Sequence, residues 1–403
     1  MPQEYLHDLR VVSSILPFKV NEYVVDELID WSAAPDDPIF RLTFPHRDML
    51  PPDIYDSMSA LHRTAASPEV IRKAAREIHD RLNPNPGAQL EANVPLHEEH
   101  PLDGVQHKYA ETVLVFPAQG QTCHSYCGYC FRWSQFVGNA DLRQSAPDVS
   151  RIVSYLAGQS SVTDVLFTGG DPMIMSAAVL DRWVTPLLTP ALEHIRTIRF
   201  GTKALSYWPY RFTTDRDADD VLRLFERIVA GGRHAAVMAH FSHPRELDNP
   251  AVREAIRRIR DTGAVIRAQA PLIAHVNDRP EDWAVMWQRL VELGVVPYYM
   301  FVERDTGARS YFGVPLSRAL RIYTDAVRSV SGLARSARGP VMSATPGKVL
   351  VDGVVDIGGT EVFSLRMLQA RDARLVGRQF FAQHDPDAVW LDDLRPAAGS
   401  WWP

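Results

Sequence analysis

The sequence predicts an α/β protein built on a partial (β/α)6-type barrel, with a helical extension before it and a small β-rich extension after it. Three observations carry this expectation. From Thr112 onward, short apolar runs alternate with stretches of helical period for more than two hundred residues, the pattern of parallel strands joined by crossover helices. Several helical stretches close on a glycine, as at Gly231, Gly263 and Gly294, where a left-handed residue ends a helix without steric cost. The polar residues best suited to chemistry fall directly after strand candidates, and parallel barrels gather their sites at the carboxyl ends of their strands.

Composition narrows the function classes. The chain has 403 residues, 46% hydrophobic and 23% charged, enough to bury a large core. A formal net charge of -6, with arginines interleaved among acids as in Asp215-Arg216-Asp217, argues against a nucleic-acid partner, which needs a dense basic face. No apolar run approaches a membrane span, and Met1-Pro2-Gln3-Glu4-Tyr5 lacks the basic and apolar regions of an export signal, so no membrane partner and a cytoplasmic location are expected.

Residues 1–105 read as a helical wrapper and connector, 106–348 as the barrel, and 349–403 as a β-meander with a tail. Within the wrapper one helix is well signalled, Pro68 to Leu82, with Ser67 as its N-cap. Asn83-Pro84-Asn85-Pro86-Gly87 breaks it and begins the connector. His97, His100 and His107 along that connector lack a regular ligand spacing and are expected to be surface or core histidines. The strand candidates of the barrel are Val113–Phe116, Val165–Thr168, Ile195–Gly201, Ala236–His240, Val265–Gln269, Tyr298–Val302 and Val341–Ala344. Helices are expected over Asp148–Leu156, Ala177–Leu187, Ala218–Ile228, Pro250–Arg260 and Trp283–Leu293. After Lys348, Val349–Gly353, Val354–Ile357 and Val362–Leu365 around Gly358-Gly359 suggest a meander capping one end of the barrel.

The first strand candidate runs into Cys123-His124-Ser125-Tyr126-Cys127-Gly128-Tyr129-Cys130, which holds all three cysteines of the chain. Three thiolates from one short loop can hold an iron–sulfur cluster at three of its four corners, leaving one iron open to another ligand. The competing reading is a structural zinc site completed by His124 or a distant histidine, although such sites usually draw their ligands from two separated knuckles. The second strand candidate ends in Thr168-Gly169-Gly170-Asp171-Pro172. Paired glycines let backbone approach a ligand closely, or simply turn the chain from strand to helix.

The C-x3-C-x2-C loop resembles that of the radical S-adenosylmethionine (SAM) superfamily, and further patches resemble its lysine 2,3-aminomutase family from His107 to about Lys348. Cys130-Phe131-Arg132 resembles the family's third cysteine with an arginine two residues on. Ala239-His240-Phe241-Ser242-His243-Pro244 resembles THFNHP, and Val276-Asn277-Asp278 resembles GVND. Pro297-Tyr298-Tyr299 and Pro315-Leu316-Ser317 resemble PYY and PVS. The resemblance implies a [4Fe-4S] cluster on Cys123, Cys127 and Cys130 whose open iron chelates SAM and cleaves it to a 5'-deoxyadenosyl radical. It further implies SAM contacts by Gly169, Gly170, Asp171, Gln269 and His240, and a fork from Arg132 to the α-carboxylate of an amino acid substrate. An electron donor such as flavodoxin or ferredoxin would be a partner. The competing reading of Arg132 is a surface ion pair.

The family also uses pyridoxal 5'-phosphate (PLP), bound as a Schiff base to a lysine in a glycine-rich stretch after the last barrel strand. Pro346-Gly347-Lys348 is the matching place, with Lys203 the reserve lysine. The chain departs from the family here, because its glycine run is cut to Gly347 and only Lys108 stands where two arginines would take the phosphate. Lysine-specific members grip the distal ammonium with two aspartates, and their places fall at Arg304 and near Ser343. A cation at Arg304 suits an acidic amino acid such as glutamate or aspartate, unless a one-residue slip brings in Asp305 or the arginine turns outward to pair with Glu303. The expected activity is thus an amino acid 2,3-aminomutase. A PLP-free radical SAM enzyme and a non-catalytic iron–sulfur or zinc protein are the alternatives. The family's C-terminal zinc cysteines are missing, so a homo-oligomer would be held by packing, with Trp390, Trp401 and Trp402 docked on a neighbour or folded back on their own chain.

Overall fold

The structure, a computed structural model, describes residues 3–83, 85–138 and 142–403; Met1, Pro2 and Pro84 of the stretches discussed above lie outside the described residues. Strands β1 (Leu96–His97) and β2 (His100–Pro101) form a separate ribbon. Eleven further strands make one sheet in strict sequence order. It begins with β3 (Val105–Tyr109), antiparallel to β4 (Thr112–Val115). A parallel run follows through β5 (Asp164–Phe167), β6 (Thr197–Thr202), β7 (His234–His240), β8 (Val265–Leu272), β9 (Val296–Val302) and β10 (Arg338–Ser343). Strands β11 (Gly347–Ile357), β12 (Thr360–Ala370) and β13 (Gln379–Gln383) then continue the sheet antiparallel.

The seven apolar runs read from the sequence coincide with β4 to β10. Alternate residues explain both their apolar character and their polar exceptions. Val113, Val165, Phe167, Ile198 and Phe200 face outward and are buried under the helices, while Asp164, Leu166, Arg199 and Met238 face the barrel interior. The expected crossover helices are present as Ser150–Ala157, Ala177–Val184, Ala218–Ala230, Pro250–Asp261 and Pro280–Glu292. Gly263 and Gly294 take left-handed backbone, with φ of 84° and 71°, but at the other helix end it is Gly232 and not Gly231 that does so.

Two expectations need correction. The C-terminal strands do not form a separate cap; β11 pairs directly with β10, so they lengthen the barrel sheet. The wrapper holds more helix than the single one read from the sequence. Pro68–Arg81 is there, with Ser67 accepting from Val70 N, but so are Gln3–Ser13, Pro38–Thr43 and Pro52–Arg63. Proline opens two of these, and Asp37 caps Pro38–Thr43 by accepting from Ile39 N and Phe40 N, so Asp-Asp-Pro reads locally as a turn although it starts a helix. His97 bonds Ser154 and His107 bonds Tyr155, each as an ordinary side-chain contact. Trp401 and Trp402 pack edge-on against Phe380 at 5.6 and 5.3 Å, and Trp390 is 3% exposed, so the tail is folded back on its own chain. No helix among the described residues is long and apolar enough to cross a membrane.

The sheet stays open, yet its first strands reach β10 and β12 through side chains. Lys108 on β3 donates to the Ala344 carbonyl after β10, and Gln369 on β12 donates to Glu111 in the β3–β4 turn at 3.2 Å. This rolls the strands around an interior that carries the site.

Candidate active site

The cysteine loop leaves β4 through a short turn at Ala118–Gly120. The wrapper fixes its shape from outside. Tyr126 N donates to Lys19 O and Gly128 N to Leu42 O, both at 2.8 Å, and the Lys19 ammonium reaches Cys123 O at 2.7 Å. From inside, Asp171 N donates to Thr122 O at 2.7 Å. The two glycines before it serve this contact. A Cβ on Gly170 would lie 2.3 Å from Thr122 O, and one on Gly169 would lie 2.3 Å from the Gln121 amide. Their smallness therefore seats the loop against the end of β5, a role that the sequence reading did not assign.

Cys123, Cys127 and Cys130 line one cavity of about 270 Å3 together with Gly169, Gly170, His240 and Gln269. Burial raises all three thiols, Cys130 to about 12; Asp171 and then the two other thiols raise Cys123 further, and Cys127 raises Cys130 further. Crowded, desolvated thiols of this kind suit a metal centre that takes the place of their protons. No three His, Cys, Asp or Glu side chains among the described residues, the three thiols included, sit closely enough to grip one single metal ion. The His124 ring instead lies against Trp208, with centroids 6.3 Å apart.

The other residues assigned to SAM divide into two kinds. His240 and Gln269 face the cavity, with their side-chain nitrogens 3.0 Å apart, and burial followed by the nearby Lys203 and Arg132 charges lowers His240 to about 3, which keeps it neutral. Asp171 lines the same cavity, but its carboxylate accepts from Thr202 Oγ1, Lys203 N and Met173 N, which ties the ends of β5 and β6 together. Lys203 is committed too. Its ammonium pairs with buried Glu246 at 2.8 Å, which leaves the reserve lysine without a free amine.

A second cavity, about 320 Å3, lies inside the barrel and shares Arg132, Gln269, Arg304 and Ser343 with the first. Arg132 stacks on Phe116 and Phe131, with ring centroids at 4.3 and 5.1 Å, and donates to Gly169 O at 3.3 Å; it is no surface ion pair. Arg304 lies over Phe131 and Trp390 at 5.3 and 5.5 Å, while Asp305 stays out of both cavities, 3.8 Å from the Arg304 guanidinium. Glu303 faces the cysteine cavity and forms no ion pair with Arg304, so neither the slip nor the outward pairing describes this site. Lys348 sits opposite Ser343 in the β10–β11 pairing, between the Tyr109 and Tyr299 rings, and donates to Gln369 Oε1. Burial and then the Arg199 charge bring its amine down to about 8. Lys108 is lowered to about 7, first by burial and then by Arg371, Arg304 and Lys348.

A Cβ at Gly347 would lie 2.0 Å from Gln369 O, so the glycine permits close pairing of β11 with β12. Arg371 and Arg199 also line this chamber, and the sequence reading found neither. Arg199 carried a weak signal as a charge inside an apolar strand. Arg371 carried none, because it enters from the edge of the sheet through the pairing of β12.

No family model matches the chain. It is 29% identical over 395 residues to a protein of Aquifex aeolicus described as "Putative L-lysine 2,3-aminomutase", an alignment covering 98% of this chain and 91% of that one. It is 27% identical over 237 residues to the L-lysine 2,3-aminomutase of Methanococcus maripaludis and 28% identical over 243 residues to that of Escherichia coli; both alignments cover 59% of this chain, and they span 51% and 66% of those proteins. Among solved structures, a radical SAM methyltransferase from Sphaerobacter thermophilus aligns with a TM-score of 0.40 at 15% identity, over 56% of this chain and 66% of that one. The near full-length relative, taken with three thiols gathered at the carboxyl end of the first parallel strand, makes this chain similar to the lysine 2,3-aminomutase-like proteins.

Proposed function

We propose that the protein is a PLP-dependent radical SAM aminomutase that moves the amino group of an acidic amino acid from C2 to C3. The observation that carries this reading is the charge of the inner chamber. Lys108, Arg132, Arg304, Lys348 and Arg371 line it, and of these only Arg304 has a carboxylate partner among the described residues, at 3.8 Å, whereas Arg199 is neutralised by Asp164 at 2.7 Å. Cations gathered around one chamber and partly withdrawn from water favour anionic ligands, and a phosphate together with a dicarboxylate substrate would supply the counter-charge. The residues fit both groups. Lys348 has an amine depressed enough to react near neutral pH and aromatic rings on two sides, and the chamber adjoins the thiol-lined cavity.

When bound, the cluster and SAM supply the 5'-deoxyadenosyl radical, and PLP supplies the conjugated ring over which the amine migrates. The chain's own residues position and shield. Arg132 forks onto the α-carboxylate from the wall common to both cavities, and Arg304 takes the distal carboxylate. Ser343 borders the substrate, and Lys108 faces the phosphate. Neutral His240 and Gln269 border the SAM side with Gly169 and Gly170, and the aromatic lining keeps water from the reacting carbons.

Mass spectrometry of anaerobic reactions with glutamate, aspartate and lysine tests the reading. The expected product is the β-isomer of an acidic amino acid; abundant β-lysine from the unaltered protein overturns the substrate assignment. Alanine at Cys123, Cys127 or Cys130 is expected to abolish SAM cleavage. Lys348→Ala is expected to remove the borohydride-reducible PLP adduct.

A further inference from the structure

We infer that Lys108 and Arg371, with the Thr345 hydroxyl, form a seat for a phosphate monoester at the mouth of the inner chamber, and that Arg371 takes the place of the arginine this chain lacks before its cysteine loop. The inference rests on the PLP reading above for the identity of the monoester. It does not rest on that reading for the seat itself.

The two cations come from opposite ends of the sheet, one from its first strand and one from the end of β12. Lys108 projects from β3 and donates to the Ala344 carbonyl, while Arg371 follows β12, donates from Nε to Thr345 O at 3.1 Å and donates its backbone N–H to Pro346 O at 3.2 Å. Both therefore close on the same three residues, Ala344 to Pro346, just ahead of Lys348. The tight start of β11, which only glycine at 347 allows, pulls the end of β12 over this segment. The connector locks the guanidinium from the other side, where Ala92 O accepts from Nη1 at 2.9 Å and Asn93 Oδ1 accepts from Nη2 at 2.5 Å.

These bonds use three of the five N–H groups of a guanidinium and hold it rigid at the wall, leaving donors for an anion. Thr345 borders the same space and adds a hydroxyl. Neither Lys108 nor Arg371 has a carboxylate partner among the described residues, so a phosphate would meet two cations and lose little to competition. Chain order agrees with the assignment. Lys348 is three residues past Thr345, close enough for one small ligand to carry both a phosphate on the seat and an aldehyde at the amine.

The test compares PLP with pyridoxal, which has the same aldehyde and no phosphate, on the full-length protein by absorbance titration and by borohydride trapping at Lys348. The unaltered protein is expected to prefer PLP strongly. Arg371→Gln and Lys108→Met are each expected to weaken PLP by about tenfold or more, the scale of a charge-assisted contact, while leaving pyridoxal unchanged. Arg371→Lys, which keeps the charge and tests for simple loss of folding, is expected to restore part of the preference. An Arg371→Gln protein that keeps the full preference for PLP overturns the inference. If neither aldehyde forms an adduct, the PLP reading fails, and the seat is then judged by calorimetry with inorganic phosphate alone. Saturable binding that Arg371→Gln removes upholds the seat, and no binding to the unaltered protein ends it.

Discussion

Cys127 Sγ lies 3.6 Å from the hydroxyl of Tyr207, a residue only 1% exposed, and the Lys203 ammonium sits 4.4 Å from the same ring. With an iron–sulfur cluster held by the thiolates, as proposed, the hydroxyl would donate to this sulfur and steady the added negative charge of the reduced state. Tyr207→Phe is therefore expected to move the cluster's reduction potential to more negative values with iron content unchanged, as read by an EPR-monitored redox titration; an unmoved potential would show that the hydroxyl does not serve the sulfur. Lys348 gives a second prediction at this scale. Only its neutral amine attacks an aldehyde, and its ionisation is lowered to about 8, so adduct formation should climb about tenfold per pH unit up to that point and then level. A rate still climbing at about pH 10, near the ordinary lysine value, would place the amine in water. Spacing alone exposed the cysteines to a sequence reading, since three thiols in eight residues have few other uses. It could not expose Tyr207 or Arg371, because each acts through a contact made only when distant strands meet.

Among the elements, the turn after β5 couples sheet to loop. Replacing Gly170 with alanine would drive a Cβ to 2.3 Å from Thr122 O, and the backbone on both sides is fixed by hydrogen bonds. The expected outcome is a protein with unchanged circular dichroism that binds markedly less iron on anaerobic reconstitution; full iron uptake would show that the loop can shift aside. The parallel strands were legible because their outward positions are uniformly apolar. The wrapper's helices were less so. Pro38–Thr43 and Pro52–Arg63 are short, begin with proline and owe their stability to packing on the barrel, so local sequence preference understates them. The length of β11 was also hidden, since Asp352 and Gly353 look like a break but lie inside one strand where its register with β12 shifts.

For the whole molecule, the wrapper and the barrel share one hydrophobic core, and a charged tie reinforces it. Fully buried Asp37 pairs with Arg245, which follows β7, and also caps the helix that brings Leu42 to the cysteine loop. Asp37→Ala removes both roles and is expected to cost on the order of 3 kcal/mol in denaturant unfolding, with the cluster released earlier than in the unaltered protein. A change under about 0.5 kcal/mol, the scale of an ordinary surface substitution, would mean that packing alone joins the two parts.

Because every strand of the large sheet pairs with its neighbour in sequence, the molecule has an order written along its synthesis. A nascent chain that has emerged as far as β9 already carries the three thiols, the glycine pair, His240, Gln269 and the wrapper that braces the loop. Lys348, Gln369 and Arg371 are still unmade or inside the ribosome. The half of the site that carries the thiols thus leaves the ribosome before the half that carries Lys348 and Arg371, and the residues that join β12 to the start of the sheet are among the last to arrive.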